Sequence, residues 1–269
     1  MADDHTMVGR VMAIVDALAA AAEPLGLAAL TRATNLPKPT VRRIANDLVR
    51  QQVLESSSDG YRLGPRLSYY GSRAVRDDPL FLAAPPYLRD LSLRAHGEIS
   101  WCGAFRGGEL VVAQPVFGHE YRELALQHKW PSATMLGPSV ALTAGGRLQT
   151  AFDPELSERL AHSGCRPLTR HSVTAPRELG ALFEAARATG LAYEREQVLT
   201  GWSCVAAVIR DANEVPVGVL GLIGRSSSSA QRSTQRALLA AADSLSRELR
   251  SSTRAQLAPG LPVIDRPRY

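Results

Sequence analysis

Apolar residues recur every three or four positions through the first fifty residues of this chain, and polar side chains collect on the faces they leave. From Val8 to Ala22 the series Val11, Ile14, Val15 and Leu18 predicts an amphipathic helix that stops at Glu23-Pro24. A second helix is expected from Leu27 to about Thr34, with Leu27, Leu30 and Leu36 placed to pack inward. Asn35, which tolerates left-handed backbone angles, supplies a turn. Pro37 and Pro39 then hold the entry to a third helix, where a missing N–H costs nothing. In that helix Val41, Ile44, Ala45 and Leu48 form a core stripe; Arg43, Asn46 and Arg50 fall opposite it, with Arg42 to one side.

The period then changes to two. Val53–Glu55 and Tyr61–Leu63 flank a polar run ending in Asp59-Gly60, a strong hairpin signal. An exposed arginine face alone reads as a solvated surface. Helix, turn, helix and hairpin together are the order of a winged helix-turn-helix, whose second helix enters the major groove while the wing lies along phosphates. Arg42, Arg43 and Asn46 are the expected base or groove contacts, with Arg50 on the same face. Lys38, Thr40 and Arg62 are expected to hold phosphates.

Beyond Gly64-Pro65 a helix is expected over Arg66–Asp77, with Leu67, Tyr70 and Ala74 in register, and another from about Pro86 to Ala95 with Leu88, Leu91 and Ser92 on one side. Their apolar stripes are candidate pairing surfaces for a second subunit. From Glu98 the texture becomes strand-like: Ile99–Arg106 and Glu109–Val116 around Gly107-Gly108, then a short candidate strand over Tyr121–Leu126. A small helix is expected from Leu136 to Ala144, then helices opened by Asp153-Pro154 and by Thr174-Ala175-Pro176, the latter stopped by Gly190. Leu191–Val198 reads as a strand. Cys204–Arg210 and Val215–Gly224 read as a hairpin whose apolar character says that both faces are covered. A terminal helix is expected over Gln231–Leu249.

This order is α+β, an antiparallel sheet interrupted by helices, in a chain of 269 residues that is long enough for two domains. The expected layout is a winged domain at 1–64 with 1–6 disordered, a linker helix at 65–79, a ligand-binding domain at 80–250 and a disordered tail at 251–269. A net charge of +5 permits a polyanionic partner, and the run Arg32, Lys38, Arg42, Arg43, Arg50, Arg62 and Arg66 places that charge in the winged segment. Cys102, Cys165 and Cys204 are isolated singletons, so neither a zinc ribbon nor a disulfide framework is indicated. No cofactor motif and no membrane-length apolar run stands out, and a cytoplasmic location is expected.

Four runs, Arg10-Val-Met-Ala-Ile-Val-Asp-Ala-Leu, Leu36-Pro-Lys-Pro-Thr-Val-Arg-Arg-Ile, Tyr61-Arg-Leu-Gly-Pro-Arg-Leu and Gly201-Trp-Ser-Cys-Val-Ala-Ala-Val-Ile-Arg-Asp, resemble the IclR family of bacterial transcription regulators along nearly the whole chain. The resemblance implies a winged domain, a linker helix and a GAF-like domain that regulates transcription on binding a small molecule. It also implies homodimers on inverted-repeat double-stranded DNA, with assembly to tetramers in many members. By motif position the effector would be lined by a Thr-x-x-Gly-like run, Thr134-Met135-Leu136-Gly137, and by Glu194, Gly201, Trp202, Ser203 and Cys204. The family's Lys or Arg after that glycine is Pro138 here, and its upstream His/Cys pair is Ser132-Ala133. Trp130 and Trp202 suit a broader or aromatic ligand, or are packed core aromatics; His128 and Lys129 are placed to steer an anion. Cys204 reads as a wall of the pocket.

Two other classes fit the sequence less well. A hydrolase would use Ser203, but Gly201-Trp-Ser-Cys-Val lacks the second glycine of a nucleophile elbow and leads into a strand, and His96, His119, His128, His162 and His171 sit in no motif. An architectural DNA binder would have no use for the second domain. The expectation is a regulator that is not an enzyme and that takes a small, anionic effector.

Overall fold

The computed structural model describes residues 6–21, 23–96, 98–123, 136–226 and 231–257. The chain divides at Asp78/Pro79 into two compact units. In the first, α1 (Met7–Ala20), α2 (Leu27–Thr34) and α3 (Lys38–Arg50) precede strands β1 (Leu54–Ser57) and β2 (Gly60–Leu63) and helix α4 (Pro65–Arg76). Thr6 caps α1, its hydroxyl accepting the Gly9 N–H at 2.9 Å, so the ordered chain reaches into the stretch expected to be disordered. Asn35 ends α2 in the left-handed region at φ 54°. Ile14, Leu18, Leu30, Val41, Ile44, Ala45 and Leu54 form one buried cluster, which fixes the rotation of α3 and turns its arginine face outward. The hairpin pairs Leu54 with Leu63 and Ser57 with Gly60, and a bridge from Leu25 to Tyr61 ties it to the chain before α2.

The second unit is a five-stranded antiparallel sheet of β3 (Ile99–Arg106), β4 (Glu109–Val116), β5 (Leu191–Arg195), β6 (Trp202–Arg210) and β7 (Pro216–Arg225), in the order β4-β3-β7-β6-β5. Helices α5 (Pro79–Arg94) and α9 (Gln231–Leu257) cover one face. On the other lie α6 (Ala144–Ala151) and α8 (Pro176–Thr189), with α7 (Pro154–Ser163) packed against α8. Every residue of α6 is buried. Its sequence, AGGRLQTA, has no amphipathic period because no side of it meets water. Two glycines make that depth possible. A Cβ on Gly145 would stand 2.6 Å from Trp101 Cη2, and one on Gly221 of β7 would stand 2.2 Å from Trp101 Cε2, so the Trp101 indole lies in a slot between helix and sheet.

Several expectations change. Helix α5 starts at Pro79, not near Pro86, and carries Pro85 and Pro86 inside it. Leu80, Phe81, Ala84, Leu88 and Leu91 make one continuous buried stripe, and that burial outweighs the hydrogen bonds lost at the prolines. That stripe is used within its own unit, so it cannot serve as a subunit seam; Ala74 and Tyr70 of α4, by contrast, are exposed. Tyr121 closes a 3-10 turn, His119–Tyr121, instead of opening a strand; residues 124–126 lie outside the described residues. The expected Leu136–Ala144 helix is a 3-10 segment, Gly137–Leu142, after which Thr143 starts α6. Strand β5 stops at Arg195 because Glu196 turns the backbone at φ 57°. Helix α9 continues to Leu257, so 251–257 is helical; the tail from 258 lies outside the described residues.

Gly221→Ala should overpack the Trp101 slot and cost about 1–3 kcal/mol. Gly71→Ala, in exposed α4 where a Cβ meets nothing within 4 Å, should instead stabilise by about 0.5–1 kcal/mol. Urea unfolding of the two variants checks the opposite signs.

Candidate functional site

On α3, Lys38, Arg42, Arg43, Asn46 and Arg50 are exposed and Thr40 is half-buried. The Tyr61 hydroxyl of the wing donates to Asn46 Oδ1 at 3.5 Å. Arg50 is paired with Asp47, and Arg62 Nη2 stands 2.6 Å from Glu55 Oε2. Both pairs are exposed and worth at most about 1 kcal/mol, so a phosphate can compete for either arginine. Arg66 belongs in sequence to the basic run of the winged segment. Its Nη1 donates to the Gln51 carbonyl at 3.1 Å and to Gln51 Oε1 at 2.9 Å, and its Nε donates to the Tyr70 hydroxyl at 2.7 Å. It therefore joins the start of α4 to the end of α3, a contact no spacing rule announces.

Trp130, Met135, His128, Lys129, Ser132 and Ala133 lie outside the described residues. Leu136, with Pro138, Ser139 and residues 163–168, lines a cleft of about 670 Å³. Gly137 opens the 3-10 helix at φ 51°. That helix has six residues and Pro138 in its first turn. It lacks the row of free N–H groups expected at an anion-binding helix start.

Strand pairing sorts the remaining candidates. Glu194, Cys204 and Ile223 form one cross-strand row, and Trp202 and Arg225 form the next. Alternation puts these rows on the α6 face and Ser203 on the opposite one. Ser203 thus lies inside a strand, behind the row, and no hydrogen bond among the described residues joins it to His96, His119, His162 or His171. Trp202 is buried, with the Arg225 guanidinium 4.3 Å from its ring centroid and Tyr121 edge-on at 6.1 Å. One face of the indole is therefore already used.

The start of α6 was missed. Thr143-Ala144-Gly145-Gly146 followed by Arg147 is itself a Thr-x-x-Gly run with a basic residue after the glycine, nine positions beyond the run first identified. Thr143 Oγ1 accepts the Gly146 N–H at 2.9 Å. Arg147 is 1% exposed, and its three nitrogens are committed: Nε to the Ala141 carbonyl at 3.3 Å, Nη1 to the Tyr193 carbonyl at 2.7 Å and Nη2 to Gln197 Oε1 at 3.0 Å. Burial lowers its pKa despite Glu194 nearby.

Burial also lifts the Glu194 carboxyl to about 7, against the Gln197 N–H at 3.0 Å, Arg147 and the Val198 N–H, which favour the charged form. Both partners shift toward neutrality, so desolvation exceeds their mutual attraction. Burial pushes the Cys204 thiol well up, while the Trp101 indole N–H and the Ala144 N–H act the other way. A thiol kept protonated in this way is a poor nucleophile. Among the described residues no cluster could hold a metal ion and no helix is long and apolar enough to cross a membrane.

Because Glu194 is raised in the folded state, the stability it contributes is complete below about pH 4.5 and is lost as pH rises through 7. Relative to Glu194→Gln, the wild type should lose on the order of 3 kcal/mol between pH 4.5 and 8. Denaturant melts across that range check the slope.

A family model for the IclR helix-turn-helix domain matches residues 7–58, and one for the bacterial transcriptional regulator IclR C-terminal region matches residues 73–247. The glycerol operon regulatory protein of Streptomyces griseus is 25% identical over 230 residues, covering 83% of this chain and 86% of that one. The Pca regulon regulatory protein of Pseudomonas putida is 24% identical over 215 residues, covering 78% and 71%. Among solved structures, an IclR homolog from Microbacterium hydrocarbonoxydans complexed with 4-hydroxybenzoate aligns with TM-score 0.74 at 23% identity, over 91% of this chain and 100% of that one.

Proposed function

The chain belongs to the IclR family of bacterial transcriptional regulators, and on that premise we propose that α3 reads an inverted-repeat operator while the sheet unit binds a small organic acid that alters operator affinity. The observation that carries the DNA reading is the division of α3. Val41, Ile44 and Ala45 are buried, and Arg42, Arg43 and Asn46 stand out on the remaining surface beside an ordered wing. Arg43 and Asn46 match guanine and adenine edges, and Lys38, Thr40 and Arg62 match phosphates.

For the effector, we assign the family's first lining run to Thr143–Arg147 in place of Thr134–Gly137. This restores the basic residue that Pro138 had displaced. Glu194, Trp202 and Cys204 then face the start of α6, with Leu136 and Gly137 at the margin and Ser203 behind the sheet. The aromatic ligand of the Microbacterium protein favours an aromatic acid. The effector shifts DNA affinity only through unequal affinity for two conformations. We place the protein in the cytoplasm. A hydrolase reading has no support in the position of Ser203.

Arg43→Ala should weaken operator binding by about 1–3 kcal/mol and relax preference at one base pair. Arg62→Ala should weaken all sequences alike and reduce the salt slope by about one. Fluorescence anisotropy over a salt series with operator and scrambled duplexes separates the two, and unchanged operator binding by Arg43→Ala would remove α3 as the reading helix.

An inverted repeat needs a two-fold protein. No residue of α4 is buried, and Tyr69 and Tyr70 are 61% and 48% exposed, so we assign the dimer seam to α4. Light scattering should give twice the chain mass for wild type and a shift toward monomer for Tyr69→Asp. A wild-type monomer, with and without DNA, would refute the seam.

A further inference from the structure

Three groups converge on the Cys204 sulfur. The Trp101 indole N–H is directed at it, Trp101 is 6% exposed, and its Nε1 has no hydrogen-bond partner among the described residues. The Ala144 N–H, first in α6 and so without a carbonyl partner in its own helix, is directed there too. Glu194 is the direct cross-strand neighbour of Cys204. A buried indole N–H without an acceptor is costly, and a weakly accepting thiol does little to offset it. Two N–H donors aimed at one point, at the positive end of a buried helix, suit an anionic oxygen.

Charge then limits what can sit there. Arg147 supplies local positive charge, but three of its five N–H groups are bound to two carbonyls and Gln197, so at most two are left for a ligand. Were Glu194 ionised, a bound carboxylate would make a buried pair of like charges beside a single committed cation. Such pairs resolve by holding a proton. Resting on the effector reading above, we propose that the donors at Cys204 receive the carboxylate of a small organic acid and that Glu194 takes up a proton when that acid binds. The balance is one carboxylate and one proton entering together, with no bond made or broken.

Among the described residues the charged and titratable groups around Glu194 are few. They are Arg147 from α6, Cys204 from β6 and Glu196 from the turn after β5. His171 reaches Glu196 at 3.6 Å, and Cys165 acts through Arg147. With the Glu194 carboxyl titrating at about 7, the free protein is half ionised at pH 7. Uptake should therefore be about half a proton there and about nine-tenths at pH 8.

The test is calorimetry on the full chain at pH 6, 7 and 8, each in two buffers of different ionisation enthalpy, with benzoate, para-hydroxybenzoate, pyruvate and the neutral analogue benzamide. All three acids stay ionised over that range, so any proton comes to the protein. We expect proton uptake with the acids that bind, affinity falling roughly fivefold from pH 7 to 8, and neither effect with benzamide. Glu194→Gln should bind acids with no proton uptake and no pH dependence. His171→Gln should keep both. Trp101→Phe should weaken the acids roughly tenfold at every pH while leaving the pH slope intact. Acid binding without proton uptake at pH 8, or uptake that survives Glu194→Gln, overturns the coupling and leaves the effector reading standing. Failure of all three acids to bind wild type at millimolar concentration overturns both.

Discussion

Full burial of α6 is the constraint on which the second unit depends. An eight-residue helix made of Ala, Gly, Arg, Leu, Gln and Thr has little hydrophobic surface to offer. It can be buried only if its polar groups find partners and its backbone comes close to the sheet. Both conditions are met by particular residues: Thr143 caps its N terminus, Arg147 is bound to Ala141, Tyr193 and Gln197, and Gly145 makes room for Trp101. Gln197 in turn holds the loop before α8 through Ser172, whose hydroxyl donates to the Gln197 carbonyl at 2.7 Å. The same bonds that make burial tolerable therefore fix the walls of the proposed effector site.

Charge in that site follows from burial as well. Glu194 and Arg147 lie close enough to influence each other, yet both are displaced toward their neutral forms. In a solvated pair the displacement would run the other way. The site is accordingly poised, with one carboxyl near neutral pH and donors aimed at a sulfur that accepts poorly. A carboxyl so placed changes charge near neutral pH, which one held in a fully paired salt bridge would not.

The first unit works by a different economy. Its core is a single cluster of aliphatic side chains, and its polar residues are almost all at the surface. Here the buried stripe of α3 decides which arginines face outward, and the Leu25–Tyr61 bridge sets the wing beside them. Surface ion pairs at Arg50 and Arg62 contribute little to the fold and hold those side chains only loosely.

Amphipathic period and turn chemistry determined much of this protein without coordinates. The stripe Val41, Ile44 and Ala45 implies which way α3 faces, and the left-handed Asn35 and the Asp59-Gly60 hairpin follow from local backbone preference. The pair of strands around Gly107-Gly108 and the hairpin of β6 and β7 were legible for the same reason. Tertiary structure decided what local rules cannot express. Helix α6 has no amphipathic period because it is surrounded, so the depth of Thr143–Arg147 cannot be read from the sequence. Helix α5 runs through two prolines because its stripe is buried on both sides of them. Trp101, Glu194, Cys204 and Ala144 are far apart along the chain, and only sheet register and the depth of α6 bring them to one point. A periodic pattern records which side of an element meets water; where no side does, the information lies in contacts between distant residues.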